Sequence, residues 1–287
     1  MKIFIASSSK NIVEEKVSIT SMLSSNNNKK DIFVLSADEN KIYNYNRTRV
    51  IGPIYNYDIK LDQTTAFSLA RFFVPLIMIN GRENENVVII DPDTLVFKDL
   101  NLFFKIITEG IYMRKAYAPG LYASSVIFYT KQYFNNERLI KYKNAVLNSK
   151  ISWTDKLYFS KKFRDQCNIK VMNLSKSWNH FDVKLPNTKI IHFTNLYNQP
   201  WVFDNHPFEN LWLSYMNNAI NEGLLKIEDI KNQQNQIVTF DDNVYACKKN
   251  IEISDSKTHK YNFFPHYKFL INEIKFHSIR RYLYNFL

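Results

Sequence analysis

The run Val87-Val88-Ile89-Ile90, followed at once by Asp91-Pro92-Asp93, restricts this chain more than any other segment. Four consecutive apolar β-branched residues without polar alternation predict a strand buried on both faces, as at the centre of an open parallel α/β sheet. The loop past the carboxyl end of such a strand is where these sheets bind ligands. Two carboxylates one residue apart then offer hard oxygen ligands. Such ligands suit Mn²⁺ or Mg²⁺, ions that bridge protein carboxylates to substrate phosphates. Asp and Pro are also common turn residues, so the same tripeptide in isolation reads as a strand-to-turn corner.

The surrounding pattern supplies the sheet. Lys2 to Ala6 reads as a buried strand, Ser7-Ser8-Ser9 as a loop, residues 11–24 as a helix, and Asp31 to Leu35 as a second strand. Strand, helix, strand is the opening of an α/β domain. Thr64 to Ile79 predicts a helix kinked at Pro75, with Arg71 inside it, and Leu95 to Phe97 resumes an extended run. A helix is expected to begin at Leu100, a strand over Ser124 to Thr130, a helix over Trp153 to Phe163, and a strand over Lys189 to Phe193. Asn195 to Trp201 is a polar loop, and beyond about residue 210 the pattern turns to helices and a polar stretch. The expected division is residues 1–210 as one α/β domain and 211–287 as a helical C-terminal extension. With only five glycines, the chain carries no glycine-rich phosphate loop.

His192, at the end of the Ile190-Ile191 run, is a third ligand candidate beside Asp91 and Asp93, since neutral imidazole suits a borderline ion such as Mn²⁺. A net charge of +11 favours anionic partners, whether nucleic acid, anionic lipid or phosphorylated substrate. The two cysteines, Cys167 and Cys247, lack metal-type spacing and read as reduced thiols, pointing to a cytoplasmic protein. The apolar run at Ile3 to Ala6 is too brief for a signal peptide, and no stretch approaches the roughly 20 apolar residues of a membrane helix.

These segments together resemble a GT-A fold glycosyltransferase, closest to glycosyltransferase family 8, which includes bacterial lipooligosaccharide galactosyl- and glucosyltransferases. Ile3-Phe4-Ile5-Ala6-Ser7-Ser8 resembles the family's first strand and base-binding turn, and Ser68 to Pro75 the helix whose arginine, here Arg71, faces the donor. Val88 to Val96 resembles the strand and D-x-D, Ala123-Ser124-Ser125-Val126 an Asn-Ser-Gly-Val strand, and His192 to Trp201 an H-x-x-G-x-x-K-P-W motif. The resemblance implies Asp91, Asp93 and His192 as ligands of Mn²⁺ or Mg²⁺. It implies Ala6, Ser7, Ser8, Arg71, Pro92, Ser124, Asn195, Gln199 and Trp201 as contacts of a UDP-sugar donor. The chain departs from the family at Ser8 (often acidic), Asn195 (glycine), Gln199 (lysine) and Thr154, which stands in an Asp-Gln-Asp position. Thr154 and Asp155 are the catalytic candidates on the acceptor side. There Asp155 either accepts a proton from the acceptor hydroxyl or hydrogen-bonds the donor sugar. A carboxylate in the first turn of a helix is the plainer reading of Asp155.

The expected reaction is transfer of a hexose to a surface glycan such as lipooligosaccharide, capsule or O-antigen. Residues 265–287 pair apolar positions at helical spacing with Lys268, Lys275, Arg280 and Arg281. That pattern fits peripheral binding to an anionic membrane surface, and equally packing on the sheet or on a second subunit as a homo-oligomer. Two rivals stand. A nucleotidyltransferase would want a glycine-rich N-terminal loop in place of Ser7-Ser8-Ser9. A nucleic-acid-binding module would want basic residues spread among the aromatics, whereas here they gather in the tail, so nucleic acid is not expected as a partner.

Overall fold

The structure, a computed structural model, describes residues 1–54, 68, 70–80, 85–131, 133, 136–148, 150–195, 199–201, 206–234, 249–253 and 261–265. The chain divides into two compact units, Met1–His192 and Phe193–Leu287. The tail helix expected over 265–287 lies, apart from Pro265, outside the described residues.

The first unit contains strands β1 (Lys2–Ser7), β2 (Ile32–Ser36), β3 (Lys41–Asn44), β4 (Val50–Pro53), β5 (Val87–Ile90), β6 (Thr94–Val96), β7 (Ile111–Lys115), β8 (Tyr122–Tyr129), β9 (Val171–Asn173), β10 (His180–Phe181) and β11 (Ile190–His192). Eight of them form one sheet in the order β4-β3-β2-β1-β5-β8-β7-β9. Its heart is parallel: β1 pairs with β2 on one side and with β5 on the other, in register Ile5↔Ile90. Towards the edges β3, β4 and β8 run antiparallel to their inner neighbours, and β9 runs parallel to β7. All four residues of β5 are buried, as the unbroken apolar run requires.

β5 does not continue into β6. Across Asp91-Pro92-Asp93 the chain leaves the large sheet, and β6 becomes the edge of a three-stranded sheet of order β10-β11-β6. Proline, lacking an N–H, cannot extend a central ladder, which makes it a fitting residue for this change of sheet.

The helix α1 (Ile12–Ser24) covers this junction, and it is buried from Val13 to Met22, polar residues included. Its hydroxyls explain why. Ser21 Oγ accepts the N–H of Val96 at 2.9 Å, Ser25 Oγ donates to the Val96 carbonyl at 2.8 Å, and Ser18 Oγ lies 3.1 Å from Thr94 Oγ1. The helix side chains thus satisfy backbone groups of β6 that no strand pairs.

One helical expectation is corrected. Trp153 to Phe163 is not one helix: Trp153–Leu157 and Lys161–Cys167 are separate, because Phe159 takes a left-handed φ of 44° and Ser160 caps the second helix. Around Pro75 a 3-10 turn, Arg71–Phe73, passes into the helix Val74–Asn80, with the proline in its first turn, where its missing N–H costs little. The earlier part of that expected helix, over 64–67 and at 69, lies outside the described residues.

In the second unit, the helix Glu209–Asn221 buries Trp212, Met216 and Ala219, one face at helical spacing, and Ile227–Gln234 follows. Strands β12 (Lys249–Ile253) and β13 (Tyr261–Pro265) form an antiparallel hairpin within the stretch expected to be helical. Among the described residues no helix is long and apolar enough to cross a membrane.

Candidate functional site

Strand pairing assembles the site. In the small sheet β11 runs antiparallel to β6, with His192 opposite Thr94. That register sets the imidazole beside Asp93, and Asp91 ends β5 two residues earlier. Ligand atoms of Asp91, Asp93 and His192 consequently lie within 4.8 Å of one another. His192 Nε2 is 3.2 Å from Asp93 Oδ1.

Arg71 closes the cluster from the side. Its Nη2 lies 2.8 Å from Asp91 Oδ1 and donates to Oδ2 at 3.0 Å, while Nη1 donates to Ser124 Oγ at 2.8 Å. Ser124 belongs to a register shift between β7 and β8, where Met113 faces Ile127 but Arg114 faces Ala123. Residues 124–126 bulge there, and bulges beside functional sites re-aim side chains. Ser124 turns to Arg71, and the Ser125 carbonyl accepts the Asp91 N–H at 2.9 Å.

The charges are strongly coupled. Burial raises the Asp91 pKa and Asp93 adds to it, while Arg71 and His192 pull it down; the outcome is about 7. Burial alone would lower the pKa of His192, but Asp93 foremost, then Asp91 and Asp182, hold it above the ordinary imidazole value. Asp91 Oδ1, Asp93 Oδ1 and His192 Nδ1 are buried without a well-directed hydrogen bond. Buried acceptors of that kind are rarely left unsatisfied. Two carboxylates and an imidazole fit a divalent cation such as Mn²⁺ better than they fit one another.

No family model matches the sequence, and no curated protein matches it. Solved structures do. The chain is similar over 81% of its length to the bifunctional glycosyltransferase WbbM in its apo form, with a TM-score of 0.56, 16% identity and 51% of that chain covered. Over 77% of its length it is similar to the glycosyltransferase GlyE of Streptococcus pneumoniae TIGR4, with a TM-score of 0.52, 17% identity and 63% of that chain covered. Over 81% it is similar to the galactosyltransferase LgtC, solved with donor and acceptor sugar analogues, with a TM-score of 0.53, 13% identity and all of that chain covered.

The chain has the GT-A fold. It spans about half the length of WbbM and less than two thirds of GlyE.

Within the GT-A frame, Ala6 and Ser7 end β1 and Ser8 follows it, all three buried. Ser8 Oγ donates to Asn11 Oδ1 at 2.8 Å, which ties the turn to the start of α1. Thr154 is exposed and Asp155 lies in the first turn of a helix that Ser152 caps: Asp155 N donates to Ser152 Oγ at 3.1 Å, and Ser152 Oγ donates to Asp155 Oδ2 at 2.6 Å. Hydrogen bonds from Ser152 and Ser160 lower the Asp155 pKa, which makes it a weak proton acceptor. Neither Thr154 nor Asp155 is part of the Asp91–Asp93–His192 cluster. Asn195, Gln199 and Trp201 belong to the second unit. There Gln199 is buried and donates to the Phe193 carbonyl at 3.0 Å, and Trp201 packs edge-on against Phe193. Lys98 is exposed.

Sequence reasoning missed two features of this GT-A unit. Asn179 is fully buried and donates to Ser125 Oγ at 3.2 Å. Arg47 clamps the buried Glu15 of α1, with Nη2 2.7 Å from Oε2 and Nε 3.0 Å from Oε1. A pair of acids in the first turn of a helix was the available signal for the second.

Proposed function

We propose that the protein is a metal-dependent glycosyltransferase that transfers a hexose from a UDP-sugar to a surface glycan acceptor. The observation that carries this reading is the Asp91–Asp93–His192 cluster at the carboxyl end of the central parallel strands of a GT-A fold. A divalent cation held by these three residues would supply charge neutralisation for a departing diphosphate. In the reaction, the bond between the anomeric carbon and the diphosphate oxygen breaks and the acceptor hydroxyl oxygen bonds to that carbon. The hydroxyl proton leaves to a base, and UDP carries away the electron pair.

The chain's own residues do the positioning. Arg71 keeps Asp91 aligned and offsets its charge, and β8 fixes Arg71 through Ser124. The turn Ser7-Ser8, one strand over from Asp91, offers the nucleoside a surface beside the phosphates. Thr154 and Asp155 are assigned to the acceptor side, and the basic tail, 265–287, to contact with an anionic membrane that carries the acceptor.

A panel of nucleotide-sugars assayed for Mn²⁺-dependent hydrolysis and transfer tests the reading. UDP-sugars should turn over and Asp93→Ala should abolish turnover with the fold intact. Undiminished turnover in that variant would remove the metal assignment.

A further inference from the structure

Arg114, at the register shift on β7, is a half-buried cation. Its guanidinium stacks on the face of Phe181, 3.5 Å from the ring centroid, and Nη1 donates to the Asn179 carbonyl at 2.6 Å. Among the described residues it makes no ion pair; Tyr117 and Asp182 act on it only from further off. Burial lowers its pKa, and Tyr117 and Asp182 offset that only in part. Elsewhere in this unit Arg71 pairs with Asp91, and Arg47 and Lys16 pair with Glu15.

Two routes tie Arg114 to the metal cluster. Phe181 stands edge-on to His192, with ring centroids 5.9 Å apart. On the other side Asn179 reaches Ser125, whose carbonyl takes the Asp91 N–H. Both routes are short, yet each puts a whole side chain between Arg114 and the metal ligands. Arg114 therefore stands beside the cluster, one side chain away from His192. Tyr117, 63% exposed and 5.6 Å from Phe181 centroid to centroid, adds an open aromatic face on the same spot.

We propose that Arg114 binds an acidic group, carboxylate or phosphate, carried by a sugar substrate, and so selects acidic over neutral sugars. A guanidinium fork matches either anion. This rests on the nucleotide-sugar reading of the site above, and the charged sugar belongs either to the donor or to the acceptor.

The test uses the full chain with Mn²⁺ and two probe pairs. In the donor arm, UDP-glucuronic acid is compared with UDP-glucose. In the acceptor arm, methyl glucuronide and methyl glucose 6-phosphate are compared with methyl glucoside in the presence of UDP. Wild type should prefer the acidic probe of one arm by about tenfold, the worth of one charge-assisted hydrogen-bond pair. Arg114→Gln should bring that preference close to unity while leaving UDP affinity within about twofold; Arg114→Lys, a safeguard should the glutamine variant not fold, should retain part of it. Equal binding of acidic and neutral probes in both arms by wild type, or an undiminished preference in either variant, overturns the inference. So does a loss of UDP affinity in Arg114→Gln, which would place the diphosphate on this residue. Wild type that fails to bind UDP with Mn²⁺ at all removes the nucleotide-sugar reading and this inference with it, whereas UDP binding without acid preference removes the inference alone.

Discussion

Arg71 Nη2 lies 2.8 Å from Asp91 Oδ1, with both side chains almost wholly buried. The pair forms because Asp91 ends a strand with no solvent above it, and only a cation brought from another element can offset its charge. Removing one partner of a buried pair leaves the other charge exposed to low dielectric, at about 3–5 kcal/mol. Arg71→Met should therefore lose stability of that order in urea denaturation, and Arg71→Met with Asp91→Asn should recover a large share. Additive losses in the double variant would show that the two residues do not interact.

Metal binding should appear as stability. A ligand that binds only the folded chain stabilises it by about 2.7 kcal/mol at one hundred times its dissociation constant. Saturating Mn²⁺ should raise the melting temperature of wild type, and His192→Ala or Asp93→Asn should lose that rise while each folds in the absence of metal. A rise of equal size in both variants would mean the ion sits elsewhere.

Acid sensitivity should trace to Glu15. Burial works to raise its pKa, but Lys16, Arg47 and their hydrogen bonds outweigh it, and the native value lies below the ordinary 4.5. A depressed native carboxyl pKa stabilises the fold above the unfolded value and loses that contribution as pH falls through the native value. Stability should thus be flat in this group above about pH 4.5 and decline below it. In Arg47→Met the charge and hydrogen bonds of Arg47 are gone while Lys16 remains, so the gap between wild type and variant should widen from pH 3 to pH 7 in thermal unfolding. A gap that narrows over that range would contradict the ion-pair account.

How much of this was legible in sequence follows from which interactions are local. The unbroken run Val87 to Ile90 announced the central strand, because burial on both faces leaves a composition that no other element needs. His192 could be proposed as a partner, but its register against Thr94 is a pairing across about a hundred residues that no local pattern encodes. Arg71 was legible as a cation in an apolar helix and not as the partner of Asp91. Arg114 carried no signal at all: one basic residue in a strand looks like solvent-facing charge until Phe181 and Asn179 are brought beneath it. The split at Phe159 was hidden for a similar reason, since a left-handed phenylalanine is dictated by packing and by the cap that follows rather than by propensity.

The junction between the two sheets should be sensitive to a single hydroxyl of α1. Ser21 Oγ accepts the Val96 N–H and donates to the Ser18 carbonyl at 2.7 Å, all out of reach of water. Ser21→Ala leaves the Val96 N–H buried and unpaired, which costs about 1–3 kcal/mol. Val96 pairs with Ile190 two residues before His192, so a loosened β6 also loosens the register that sets the imidazole beside Asp93. The expected result is a loss of stability together with a several-fold weaker Mn²⁺ affinity. Ser21→Thr, which keeps the hydroxyl, should restore the metal affinity more fully than the stability, because its extra methyl enters a packed helix face. Loss of stability with unchanged Mn²⁺ affinity in Ser21→Ala would show that α1 supports the fold without tuning the site.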